Sequence, residues 1–124
     1  MSSNNNLEYW VAEFARHAAA QTDEIWNGNA KTGNKHAKAK VAAFKKLCEL
    51  GGDSGRDALA ALFKHSRMDV RISAATYLLR HRTEEAKAVL EEAAKGQGLI
   101  SFTAQEALKR WEEGTWALDP KDPS

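Results

Sequence analysis

Apolar residues recur along this chain at helical spacing, in six separate segments. In the first segment, Leu7, Val11, Phe14 and Ala18 follow one another at intervals of three or four residues, which places them on one face of a helix. The same spacing predicts helices over residues 6–25, 35–50, 55–65, 70–81, 84–95 and 101–113. No run alternates apolar and polar residues with β-branched enrichment, so no strand is predicted. We therefore expect an all-α protein.

Glycine, asparagine and capping residues mark the predicted ends of these helices. Asn27-Gly28-Asn29 is expected to end the first helix, and Gly33-Asn34 to prolong the loop that follows. Gly51-Gly52 ends the second helix, because glycine accepts the left-handed conformation found at helix C-termini. Ser54 and Asp69 are predicted to cap the third and fourth helices through their side-chain oxygens.

Two of the predicted helices share a sequence template. Residues 69–79 match residues 100–108, about 30 positions later, a period typical of stacked helical hairpins. The matched pairs are Val70 and Ile100, Ile72 and Phe102, Ser73 and Thr103, Ala74 and Ala104, and Leu78 and Leu108. We expect an α-α superhelix of three hairpins, each formed by two consecutive helices. Trp116 and Leu118 are expected to fold back over the last hairpin as a C-terminal cap. Stacked repeats expose broad surfaces, which favours binding over catalysis.

Length and composition point to a small intracellular domain. The 124 residues are predicted to form a single domain, with residues 1–6 and 119–124 flexible. The single cysteine, Cys48, excludes an internal disulfide and fits a reducing compartment. The N-terminus lacks the features of a signal peptide, and no apolar run approaches the ~20 residues that span a bilayer. We expect a cytoplasmic protein, monomeric and without membrane contact; a homo-oligomeric scaffold is a weaker alternative.

The net charge of +1 conceals a basic middle between acidic ends. Residues 31–50 carry six lysines and one acid, whereas residues 83–124 carry five bases and nine acids. The basic residues either form solvated helix faces or line a binding surface for an acidic protein or a nucleic acid backbone. The candidate partner-binding residues are Lys35, Lys38, Arg71, Arg80, Arg110 and Trp116. For Trp116 a place in the core or the cap is the first interpretation, and a partner contact is the alternative. For Arg71 a structural role is likewise the first interpretation, since in repeats that resemble this one such an arginine bonds a neighbouring turn.

Signals for catalysis or metal binding are weak. The four histidines, His17, His36, His65 and His81, form no recognised ligand motif, and one cysteine cannot build a multi-thiolate site. Residues 51–55 lack the Lys-Ser/Thr pair of a phosphate-binding loop. We therefore expect no enzyme activity, no metal and no cofactor.

The sequence resembles a small bacterial HEAT-like domain family of unknown function over residues 7–118. The resemblance lies in Gly28-Asn29, Gly52-x-x-Gly55, Val70-Arg71-x-x-Ala74-Ala75 and Ala104-x-x-Ala107-Leu108-x-x-Trp111. Some similar proteins are encoded beside bacterial polymorphic toxins. The resemblance implies a protein-binding immunity protein that neutralises a cognate toxin. The alternative is a HEAT-like nucleic-acid-binding domain with a basic concave face.

Overall fold

A computed structural model describes residues 6–119 and contains only helices in that part of the chain. The helices are α1 (Leu7–Trp26), α2 (Ala30–Gly51), α3 (Asp53–Leu59), α4 (Met68–Tyr77), α5 (Thr83–Ala94) and α6 (Leu99–Glu113). A 3-10 helix, Ala60–Lys64, follows α3. The prediction of an all-α protein is confirmed. Of the predicted flexible ends, residues 1–5 and 120–124 lie outside the described part.

The chain divides after Leu62 into two compact units. In the first unit α2 packs against α1 and α3, and α3 also contacts α1. In the second unit α5 packs against both α4 and α6. Helices one and two, and helices five and six, therefore pair as the sequence predicted, and the pairing of helices three and four stays a prediction. The single-domain organisation and the superhelical stacking stay predictions.

The core of the first unit forms along the apolar stripes of α1 and α2. Phe14 and Leu47 have no exposed surface, and Phe44 is 4% exposed. These residues lie at the predicted helical intervals, so burying them turns the lysine-rich side of α2 toward solvent. Full burial of such side chains stabilises the unit by about 1.5–3 kcal/mol each.

Helix α2 begins at Ala30, five residues earlier than its expected start. The prediction that Gly33-Asn34 prolongs the loop is wrong, because Gly33 is buried within the helix. A Cβ atom at Gly33 would lie 3.2 Å from Cγ1 of Ile25 on α1. Glycine at this position therefore serves close helix packing. Gly28, with φ of 81°, makes the turn between the helices.

The expected caps of α3 and α4 are also wrong. Helix α3 begins at Asp53 with Gly52 as its N-cap, so Ser54 already lies inside the helix. Arg67 is the N-cap residue of α4, and Asp69 lies in the first turn. The Asp69 carboxylate instead forms a two-point ion pair with Arg67, at 3.0 and 2.9 Å, and accepts the N–H of Val70. A carboxylate in the first turn still favours the helix, because it faces unpaired N–H groups.

The second unit has a core built largely of small side chains. Ala75, Ala86 and Ala104 are completely buried, and they pack in one cluster with Leu79 and Leu90. Alanine at these positions lets helices approach closely. Val70, Ala74, Ala75, Leu78 and Leu79, predicted to form the wide apolar face of the fourth helix, are all fully buried. Helix α4 ends at Tyr77, however, so Leu78 and Leu79 follow the helix and the predicted end at residue 81 is wrong.

Replacement of Gly55 by alanine tests the close approach of α3 to α2. Gly55 is buried, and a Cβ atom there would overlap the backbone carbonyl of Leu47. The backbone cannot move aside as the end of a flexible side chain can. We therefore expect Gly55→Ala to lower the free energy of unfolding by about 1–3 kcal/mol or more. Chemical denaturation measures the loss. The control Ser54→Ala changes an exposed neighbour and should shift stability by less than about 0.5 kcal/mol; equal stability of both variants would contradict the proposed packing.

Candidate interaction surface

One side of α2 carries a row of exposed lysines, which we call the α2 lysine stripe. Its members are Lys31, Lys35, Lys38, Lys45 and Lys46, all exposed. At 3.6 residues per turn they fall within about 100° of helix circumference and extend over about 22 Å. Two of them, Lys35 and Lys38, are predicted site residues. The stripe is therefore a continuous surface on one element.

The charges of this stripe are largely uncompensated. Within residues 6–119, no ion pair joins Lys31, Lys35, Lys38 or Lys45 to another side chain, and Lys46 lies 3.8 Å from the Glu49 carboxylate. The remaining lysine of α2, Lys40, lies outside the stripe and donates to Oε1 of Gln21 on α1 at 3.0 Å. Four unpaired cations on one face produce a positive potential that attracts anionic partners.

An exposed tryptophan lies at the end of α1, four residues before α2 begins. The side chain of Trp26 is 66% exposed, and the neighbouring Ile25 is 43% exposed. Large exposed aromatic side chains are the type of residue that anchors protein interfaces. Trp26 is not among the candidate residues predicted from the sequence, although it lies outside the apolar stripe of α1.

Arg71 is engaged within the second unit. Its guanidinium donates to the carbonyl oxygens of His65 and Ser66, at 2.6 and 3.2 Å. These carbonyl groups belong to the turn that precedes α4. Arg71 therefore bonds a neighbouring turn, which is one of the two roles that the sequence predicts for it. A contact between Arg71 and a partner stays a prediction.

Arg80 is also engaged, by a residue near the end of the described chain. Its Nε donates to the carbonyl oxygen of Asp119 at 2.6 Å, and its Nη2 lies 3.1 Å from Oδ2 of the same residue. Asp119, assigned to a flexible tail in the sequence analysis, is 7% exposed. Because the buried Asp119 carboxylate already pairs with Arg80, a partner would have to compete with Asp119 for this arginine.

Trp116 closes the end of α4. Its indole N–H donates to the carbonyl oxygen of Thr76 at 2.7 Å, and its ring packs edge-on against Trp111 with centroids 5.3 Å apart. Thr76 lies in the last turn of α4, where carbonyl groups have no partner within the helix. The tryptophan therefore supplies a missing hydrogen bond.

Of the candidate residues, only Lys35, Lys38 and Arg110 are exposed.

The sequence repeat is not matched by equal burial in α4 and α6. Ile72 is 5% exposed, whereas its counterpart Phe102 is 52% exposed. Phe102 lies one turn from Leu99, which is 42% exposed, so the start of α6 presents apolar surface. The Ala74 and Ala104 pair, by contrast, is fully buried in both helices.

Two histidines that showed no sequence motif meet between α1 and α2. Nδ1 of His17 lies 2.9 Å from Nδ1 of His36. Nε2 of His17 lies 3.1 Å from Nη2 of Arg16 and 3.6 Å from Oε1 of Glu13. Burial lowers the pKa of His17 below its ordinary value, and the nearby Arg16 charge lowers it further. The hydrogen bond from Arg16 lowers the pKa of Glu13.

The described residues show neither a larger ligand cluster nor a membrane-spanning helix. No group of three or more His, Cys, Asp or Glu side chains within residues 6–119 is arranged to hold a metal ion. No helix in this part of the chain is both long and apolar enough to cross a bilayer. No protein-family model, curated protein or solved structure matches the chain. The family resemblance therefore stays a prediction.

Replacement of Trp116 by phenylalanine should destabilise the second unit. The change keeps an aromatic ring but removes the donor to the Thr76 carbonyl. We expect the free energy of unfolding to fall by about 1–3 kcal/mol, because a partly buried carbonyl loses its partner. Thermal or urea denaturation measures this loss. Leu118→Ala is the control, since Leu118 is 43% exposed and its removal should have little effect; equal losses in both variants would argue against a capping role.

Acid should weaken the packing of α1 against α2 through His17. Because its pKa is lowered in the fold, the unfolded chain binds a proton first as the pH falls below about 6.5. Neutral His17 therefore stabilises the packed helices above that pH, and this stabilisation is lost below it. Hydrogen-exchange protection factors of α1 and α2 should drop between pH 7.5 and 5.5, and drop less in His17→Gln. His65→Gln, altered in the other unit, should behave like the unaltered protein. An identical drop in the unaltered protein and both variants would refute the assignment of the acid effect to His17.

Proposed function

We propose that the protein is a non-enzymatic protein-binding module, acting in the cytoplasm as an immunity protein that binds a bacterial toxin and blocks its activity. The binding surface rests on the α2 lysine stripe, in which four lysines have no ion-pair partner among residues 6–119. The assignment to toxin neutralisation rests on the family resemblance of the sequence.

The chemistry of this surface supports an acidic protein partner. A row of lysines accelerates encounter with an acidic surface and fixes the orientation of the complex. Trp26, which is 66% exposed, supplies the kind of large aromatic contact that contributes strongly to affinity when a partner covers it. A toxin active site that binds a basic or polar substrate through carboxylates would match the stripe in charge.

A nucleic-acid partner is the second candidate, favoured by the same stripe. Lysines neutralise backbone phosphates, and an exposed tryptophan gives a base a surface on which to stack. The overall charge of +1 weighs against this candidate, because nucleic-acid-binding domains are usually strongly basic. Its affinity would fall steeply with salt concentration, whereas a protein complex with apolar contacts would survive high salt.

Capture of the partner separates the two candidates. Tagged protein is recovered from its native cell after nuclease treatment and in high salt, and the bound material is identified by mass spectrometry. The proposal expects one stoichiometric protein that is toxic when produced alone and harmless when co-produced with this chain. Nucleic acid recovered only at low salt would favour the second candidate. The first candidate would be overturned if a toxin encoded beside this protein forms no complex with it and still harms a cell that produces both.

Charge reversal in the stripe then locates the binding surface. We expect Lys35→Glu with Lys38→Glu to weaken the complex at least about tenfold, because it inverts the potential at the centre of the stripe. Lys64→Glu with Lys109→Glu is the matched control, since both residues are exposed and the change in net charge is the same. Titration calorimetry or surface plasmon resonance measures both. Equal weakening by the two double variants would show that the overall charge matters and the stripe does not.

A further inference from the structure

The histidine pair between α1 and α2 has a defined proton arrangement. Arg16 can only donate, and its Nη2 lies 3.1 Å from Nε2 of His17, so Nε2 accepts this hydrogen bond. The proton of neutral His17 is then on Nδ1, which donates to Nδ1 of His36 at 2.9 Å. Neutral His36 therefore carries its proton on Nε2. Two Nδ1 atoms from different helices thus share one proton.

The separation of these nitrogens matches two adjacent ligands of one metal ion. With metal–nitrogen bonds of about 2.0–2.1 Å, nitrogens 2.9 Å apart subtend an angle of about 90° at the metal. A tetrahedral zinc site would need about 3.4 Å. Square-planar or tetragonal coordination, which has angles near 90°, is preferred by Cu²⁺ and Ni²⁺, and imidazole binds Cu²⁺ the more tightly.

We propose that His17 and His36 form a two-histidine binding site for a divalent transition metal, with Cu²⁺ as the best fit. Water completes the coordination, because residues 6–119 offer two ligands at this point. The site is independent of the proposed partner surface.

Metal binding exchanges one tautomer of His17 for another, without net release of a proton. The proton on Nδ1 of His17 moves to Nε2, and the freed Nδ1 lone pair binds the metal beside that of His36. The Nε2–H group then faces Oε1 of Glu13, which lies 3.6 Å away. Once the two side chains close this distance, the carboxylate accepts the N–H and orients the ring. Arg16 must turn away from Nε2, which also loosens its two hydrogen bonds to the Glu13 carboxylate at 3.0 and 2.9 Å. Its side chain is 59% exposed and has solvent to move into. The arginine therefore opposes metal binding.

The metal would link residues that are 19 positions apart in the sequence. Since the unfolded chain does not hold the two imidazoles together, metal binding favours the packed state of α1 and α2. Saturating Cu²⁺ should therefore raise the thermal midpoint of unfolding, and Zn²⁺ should raise it less.

Copper titration of the full chain tests the site. After removal of metal with a chelator, we expect one Cu²⁺ per chain by calorimetry, with an electron paramagnetic resonance spectrum that reports two nitrogen ligands. His17→Gln and His36→Gln should each lose this binding and its thermal effect. His65→Gln and His81→Gln, altered in the other unit, should keep both.

A further variant distinguishes a built site from loose binding to surface histidines. Arg16→Gln removes the opposing cation while Glu13 stays in place, so Cu²⁺ should bind at least about threefold more tightly than in the unaltered protein. This variant also tests the site if the histidine variants do not fold. No copper binding, binding that survives in either histidine variant, or unchanged affinity in Arg16→Gln would each overturn the proposal.

Discussion

The structure depends on helices that approach one another closely at residues with little or no side chain. In the first unit Gly33 faces α1 and Gly55 faces the Leu47 carbonyl, and in the second unit alanines such as Ala75 and Ala104 fill the core. Interiors packed to crystal-like density do not tolerate added atoms at such points. Long side chains have no room at these points of contact, and the members of the α2 lysine stripe therefore lie on the side of the helix that faces solvent. The close packing thereby determines where the charged side chains of α2 lie.

The α2 lysine stripe follows from that constraint. Burial of Phe44 and Leu47 fixes the rotation of α2, and the helical period then places the five lysines together on the opposite side. Their mutual repulsion is weak in water at physiological salt, where charges are screened beyond about 8 Å. The repulsion grows when a partner excludes water, so only a partner with compensating negative charge can cover the stripe at low cost. The same rotation brings His36 toward α1 and into contact with His17.

Sequence pattern predicts the local features of this protein and misses those that depend on distant contacts. The periodicity of apolar residues gave six helices and most of the buried face of α4, because both depend on near neighbours along the chain. The loop predicted at Gly33 is wrong because glycine favours turns by propensity, whereas here the packing of Gly33 against Ile25 places it within a helix. The contact of Arg80 with Asp119 joins residues 39 positions apart, and no local pattern specifies that distance.

The candidate residues divide according to whether the fold already satisfies their charges and hydrogen bonds. Arg71 completes the turn before α4, and Trp116 completes the end of that helix. A partner that recruited either residue would first break a hydrogen bond, and the group left behind would lose its partner in the fold. The unpaired lysines of α2 carry no such cost, since they exchange only water for a partner. Electrostatic recognition by this protein is therefore expected from the stripe rather than from Arg71 or Arg80.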